Sequence, residues 1–182
     1  HNNIDNTSYG IYGGQYGANI HFPKNTHIHN NTLQNVYVGM SLEGTNGVTT
    51  DGENYTIEYN SINNATSYGI GVAGGLGLFY QNMTISNNYI VSNDYGLALY
   101  DGMNSLVINN VILGKYYGVE LTETNGVLLN RNLITSENIG LIIEGGNNKI
   151  INNSIIGKCN EDRCEKLFFE KIGESGIVLS EV

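Results

Sequence analysis

This chain is short of charge, proline and cysteine. Only 14% of its 182 residues are charged, one is proline (Pro23), two are cysteine and none is tryptophan. Lys and Arg together number eight against 17 Asp and Glu, a formal charge of −9. With so few cations there is no basic stripe to neutralise phosphates, and nucleic acid is excluded as a partner. No run of 18 apolar residues exists, so no membrane-spanning helix is expected. No signal peptide is present, and the chain opens at His1 in mid-pattern, as expected of a mature product or a fragment. Low charge with 24 glycines and many asparagines fits disorder by composition alone. Against disorder stand regularly spaced Ile, Leu, Val and Tyr, enough to build a core.

Those apolar residues form a repeat, which is sought before anything else. The unit reads Ile-x-Asn-Asn-x-Ile, then about six residues, then Tyr-Gly-Ile-x-Leu. Its apolar mark recurs at Ile4, Leu33, Ile62, Ile90, Ile112, Ile134 and Ile155. Two residues before each stands an asparagine: Asn2, Asn31, Asn60, Asn88, Asn110, Asn132 and Asn153. A glycine followed by an apolar residue completes each unit, at Gly10, Gly39, Gly69, Gly96, Gly118, Gly140 and Gly176. The glycine intervals are 29, 30, 27, 22, 22 and 36 residues. Twenty-two residues is too short for two helices, and stretches such as Leu97-Ala98-Leu99 and Val119-Glu120-Leu121 alternate with a period of two. The expectation is an all-β, single-stranded solenoid of about seven coils. The coils stack about 4.8 Å apart, because none can bury its inner face alone.

The asparagine column has two physical uses. Asparagine tolerates left-handed backbone at a turn, and stacked amides hydrogen-bond along an axis. The glycine column fits either positive φ or close backbone approach. Both columns are expected to be scaffold, and no catalytic residue is assigned. The repeat resembles those of the right-handed parallel β-helix proteins, the pectate-lyase-like superfamily, especially its NosD-like and CASH-type surface and periplasmic members. The resemblance implies the fold. It leaves function open, because that superfamily includes lyases, hydrolases, adhesins and inert rods.

Departures from the repeat are where function is sought. The first three coils are longer, at residues 13–24, 43–53 and 73–81. Loops at one coil position should stack on one side of the rod. Their aromatics, Tyr12, Tyr16, Phe22, Phe79 and Tyr80, are candidates for glycan stacking. The whole chain is read as one domain with a lateral insertion at about residues 157–173. Nine charged residues gather at 158–174, with Cys159, Cys164 and an apolar cluster of Leu167, Phe168, Phe169 and Ile172. A short helix over 162–172 lying on the rod fits that cluster. A Cys-x4-Cys pair lacks the four ligands of structural zinc, so a local disulfide and an oxidising compartment are expected.

Two further sets carry candidate chemistry. Glu43, Asp101, Glu123 and Glu144 follow the Gly-apolar strands and would line one edge. Such an edge either stays solvated or holds Ca2+, the one ion expected if any cofactor is bound. His27 and His29 flank Ile28 on a strand and point the same way, with His21 nearby, a weak set for a transition metal. Six Asn-x-Ser/Thr sequons, at Asn6, Asn30, Asn54, Asn64, Asn82 and Asn152, lend mild support to an extracellular setting.

The leading expectation is a non-catalytic module of a surface, sheath, adhesin or filament protein. It would be extracellular or at the cell surface, with the periplasm as the alternative. Its expected partners are a glycan or further copies of itself, packed end to end or laterally. Two enzymatic or accessory readings stand beside it: a polysaccharide lyase, and a NosD-like metal-accessory protein.

Overall fold

The computed structural model describes residues 2–14, 20–21, 24–43, 48–50, 52–74 and 79–157. Every element there is a strand, and every pairing is parallel. The chain winds through three main sheets in a fixed order, repeat after repeat. A seven-stranded sheet takes Asn3–Asp5, Thr32–Gln34, Ser61–Ala65, Tyr89–Ser92, Val111–Gly114, Leu133–Ser136 and Ser154–Gly157. A nine-stranded sheet takes the Gly-apolar strands, from Tyr9–Gly14 to Ile139–Gly146, with the short strands Gly52–Glu53, Tyr80–Gln81 and Gly102–Met103. A six-stranded sheet runs from His27–His29 to Lys149–Ile151.

Register explains why the sequence repeats as it does. Ile62 pairs with Leu33 and Ile90, Ile90 with Ile112, and Ile112 with Ile134. Like residues therefore stack on like, and the inward column is sealed. Leu33, Ile62, Ile90, Ile112 and Ile134 are fully buried, as are Ile57, Ile85, Val107 and Leu129 from the six-stranded sheet. Burial of one such side chain stabilises by roughly 1.5–3 kcal/mol, and no single coil could realise it alone.

The two repeat columns have distinct jobs. The backbone N–H and the side-chain amide of Asn31 both donate to Asn60 Oδ1, at 3.0 Å each. The same pair of hydrogen bonds recurs from Asn2 to Asn31, from Asn60 to Asn88, and on through Asn110 and Asn132 to Asn153. The expected ladder is there. Its asparagines do not, however, adopt the left-handed conformation. That belongs to the residue before each: Asn30, Tyr59, Asn87, Asn109, Arg131 and Asn152, with φ of 54–57°. The corner needs one residue to turn and the next to point inward.

The glycine column similarly settles on one of its two explanations. Gly10, Gly39, Gly69, Gly96, Gly118 and Gly140 do not have positive φ. A Cβ at Gly96 would stand 2.6 Å from the carbonyl oxygen of Gly118 and press on Ile112 Cγ2. The column is glycine because the next coil's backbone lies where a side chain would go. Gly176 and the 158–182 segment lie outside the described residues, with Cys159, Cys164, the expected helix and nearly all of the expected insertion.

Candidate binding face

The strands of the nine-stranded sheet carry Tyr9, Tyr12, Tyr68, Tyr95, Tyr100 and Tyr117 together with the carboxylates Glu43, Glu120 and Glu144. The sequence places a tyrosine just before the column glycine in several repeats. Because that glycine faces inward, the tyrosine faces out. Tyr68 is in register with Tyr95 and Tyr95 with Tyr117. Their rings stack at 4.9 and 4.6 Å between centroids, each pair tilted by 17°. In a face-to-face stack the ring faces cover one another.

Small residues lie beneath this stack. Ser41, Gly71 and Ala98 pair in register, followed by Glu120. Ser41 and Ala98 are buried although they point away from the core. A Cβ added at Gly71 would meet the Tyr68 ring at 3.5–3.7 Å, so the tyrosine lies across it. The column is small because the tyrosines fold over it.

Along the other side runs Glu43, Ala73, Tyr100, Thr122 and Glu144, again in register. The Tyr100 hydroxyl donates to Glu120 Oε2 at 2.6 Å, and Ser41 Oγ donates to Glu43 Oε1 at 2.6 Å. Tyr68 and Tyr100 also share a hydrogen bond. Burial, then the Glu120 carboxylate, pushes the Tyr95 phenol up to about 12. Burial and the bond to Glu120 raise Tyr100, while Tyr68 is raised by burial and then by Glu120, Asp94 and Glu43. Burial alone raises Asp94. At neutral pH these phenols are protonated donors set beside carboxylate acceptors. Such a face can exchange hydrogen bonds with a hydroxyl-rich ligand. It repels a polyanion.

The sequence candidates distribute unevenly around this face. Tyr12 lies on it, exposed, edge-on to Tyr9 at 5.2 Å. Tyr80 does not belong there. It is fully buried, edge-on to Tyr55 at 5.5 Å, and burial raises its phenol. The chain has already rejoined the sheet at Tyr80, which pairs with Gly52 and Gly102, so its side chain is directed to the core. Phe79 is half-buried. Tyr16 and Phe22 lie outside the described residues. The first two long loops do stack, through Ile20 on Val48 and His21 on Thr50.

The expected acidic edge is two rows. Glu43 and Glu144 stand in one, separated by Ala73, Tyr100 and Thr122. Asp101 and Glu123 stand one residue later, both left-handed, with φ of 58° and 54°. Burial, then a hydrogen bond with Glu123 and its charge, raises Asp101. His27 and His29 do point the same way. Their rings stack at 4.2 Å, with His27 Nε2 2.7 Å from Glu58 Oε1 and His29 Nδ1 2.9 Å from Asn30 Nδ2. Among the described residues no group of three or more His, Cys, Asp or Glu is arranged to hold a metal ion.

The stacked parallel sheets agree with a direct comparison. A family model for the right-handed β-helix region matches residues 16–181. The chain belongs to the right-handed β-helix family. No curated protein matches it. The repeat columns alone lead to this β-helix, whereas the candidate face formed by Tyr68, Tyr95, Tyr100 and Glu120 does not stand out in them. The available signal was the tyrosine before the column glycine, found at Tyr9, Tyr68, Tyr95 and Tyr117. It reads as part of the repeat until register shows those rings touching.

Proposed function

We propose that this β-helix is a non-catalytic, glycan-binding module of an extracellular or cell-surface protein, with the outer face of the nine-stranded sheet as its binding surface. The observation that carries the reading is the Tyr68–Tyr95–Tyr117 stack beside the Tyr100–Glu120 bond. It is a fixed row of donors and acceptors repeating at the coil spacing of about 4.8 Å. Rigid aromatic side chains bind at low entropic cost, because few torsions are frozen on contact. Glu43, Asp94 and Glu120 surround the row and favour a neutral glycan over a uronate polymer. That charge also weighs against the lyase reading, whose substrates are acidic.

Affinity electrophoresis of the full chain through gels cast with neutral β-glucan, mannan or polygalacturonate tests this. Retardation by a neutral polymer, and none by polygalacturonate, is expected. Tyr95→Ala should weaken binding about fivefold or more, the loss of roughly 1 kcal/mol for one hydrogen-bonding group. Unchanged mobility in every neutral polymer would sink the glycan reading. Release of unsaturated product from polygalacturonate would replace it with a lyase.

A further inference from the structure

The outer faces of the other two sheets change character half-way along the rod. In the seven-stranded sheet the first outward row begins Asn3, Thr32 and Ser61, becomes Tyr89, Val111 and Leu133, and ends at Ser154, all in register. In the six-stranded sheet the corresponding row begins His27, Thr56 and Thr84, becomes Leu106 and Leu128, and ends at Lys149. Tyr89, Leu106 and Leu133 are 44%, 37% and 41% exposed. The two sheets follow each other across the asparagine corner, so these apolar rows lie on either side of it.

Charge changes at the same place. From Thr84 to Gly157 the acidic residues are Asp94, Asp101, Glu120, Glu123, Glu137 and Glu144. None lies in a strand of the other two sheets: Asp94 and Glu137 are in the turns that lead from the seven-stranded sheet into the nine-stranded one, and the rest are in the nine-stranded sheet or between its strands. The apolar strands and their corner carry no carboxylate, only Arg131 and Lys149. On a chain of net charge −9, this is the surface through which two copies can approach with least repulsion. Contiguous exposed apolar surface of this kind marks an interaction site, whereas apolar residues scattered singly do not.

We infer that this apolar, carboxylate-free face of the rod's second half is an interface between two copies of the chain. The acidic tyrosine face of each copy then turns outward. Apposition places the row of Tyr89, Val111 and Leu133 and the row of Leu106 and Leu128 against their equivalents, an isologous contact. The face spans only a few strands, so the contact belongs to the small, weak class of interfaces. Added salt should strengthen it, because screening removes the repulsion between the acidic remainders of the two copies.

Sedimentation velocity of the full chain from about 1 μM to about 1 mM covers the range of such weak contacts. The expected result is a concentration-dependent shift from monomer to dimer, larger at high salt. The double variant Leu106→Glu/Leu133→Glu should remain monomeric throughout. Both side chains point outward, so its thermal unfolding should stay close to that of the parent. A parent chain that remains monomeric at every concentration overturns the inference. Dimers that persist in the double variant overturn it as well. A monomeric parent whose double variant melts much lower would assign the face to a cover within the chain, residues 158–182 being the segment long enough to supply one.

Discussion

Asn88 lies directly against Asn110 in the next coil, its backbone N–H and its side-chain amide both donating to Asn110 Oδ1, at 2.9 and 3.0 Å. The remaining Asn88 amide proton goes to the Ile57 carbonyl, and its own Oδ1 accepts from the backbone and side chain of Asn60. Both residues are buried, at 2% and 1% exposure. Asn88→Ala therefore removes an acceptor and leaves the buried Asn60 N–H without one. Orphaned buried groups cost about 1–3 kcal/mol each, so a loss of roughly 3 kcal/mol is expected. Asn2, at the exposed end of the ladder, offers the control. Removing its amide leaves the Asn2 backbone bond to Asn31 in place, and the loss should stay within about 1 kcal/mol. Urea unfolding of the two variants measures the contrast, and equal losses would refute the ladder's role.

The glycine column makes a sharper claim about space. Gly96→Ala drives a methyl against the Gly118 carbonyl oxygen and Ile112 Cγ2, neither of which can yield without moving a coil. Overpacking of this kind costs roughly 1–3 kcal/mol or more. Gly102 is also buried, yet a Cβ there would meet only Thr124 Cγ2 at 3.5 Å and Val127 Cγ2 at 3.9 Å. Gly102→Ala should be tolerated and should even stabilise slightly by restricting the unfolded chain. Melting temperatures of the two variants decide the matter: a Gly96→Ala protein as stable as Gly102→Ala would contradict the stacking geometry.

Much of this was legible because a solenoid writes its contacts as periodicity. An inward residue meets its equivalent one repeat away, so Ile62, Ile90 and Ile112 announce their own neighbours. Outward residues lack that constraint, and here the sequence was less clear. Tyr80 reads as a loop aromatic, yet pairing with Gly52 and Gly102 turns it into the core. The Asn-Asn pair reads as one feature, yet its first member turns the chain and its second bonds along the axis. The sequons have the same origin. All six of their asparagines are exposed corner residues with φ of 53–58°. The Ser or Thr two positions on returns the chain to a strand or its approach. The corner stereochemistry alone generates the motif, so it says little about compartment.

The Asp101–Glu123 pair sets a pH dependence. Burial, and then Glu123, hold the Asp101 carboxyl above its ordinary value in the folded chain. A raised folded pKa means that the native state binds the proton more tightly than the unfolded one. Asp101 therefore favours folding most below its unfolded pKa, near 4, and that contribution is lost as pH rises through the folded value. Asp101→Asn removes the charge and retains a residue suited to its left-handed backbone. The variant should be at least as stable as the parent at neutral pH, with any advantage fading below about pH 4. Urea midpoints at the two pH values test this, and destabilisation at neutral pH would show that the ionised pair contributes favourably.

The tyrosine face predicts behaviour at the opposite end of the pH scale. Of 13 tyrosines, Tyr55, Tyr68, Tyr80, Tyr95 and Tyr100 have phenols raised chiefly by burial. Tyr55 and Tyr95 reach about 12. Because the unfolded phenol ionises near 10, these groups stabilise the fold fully below that pH, and the contribution disappears as pH climbs through the folded values. Ultraviolet titration of the phenolate band should show exposed tyrosines ionising first. A delayed set should follow, coinciding with the loss of β-structure in circular dichroism. Tyr95→Phe should shrink the delayed set while leaving the early phase unchanged. It should also weaken neutral-glycan retention, because the ring stack survives but its hydroxyl does not. A single titration step near pH 10, with the fold intact, would show that the stacked phenols are as open to solvent as any other.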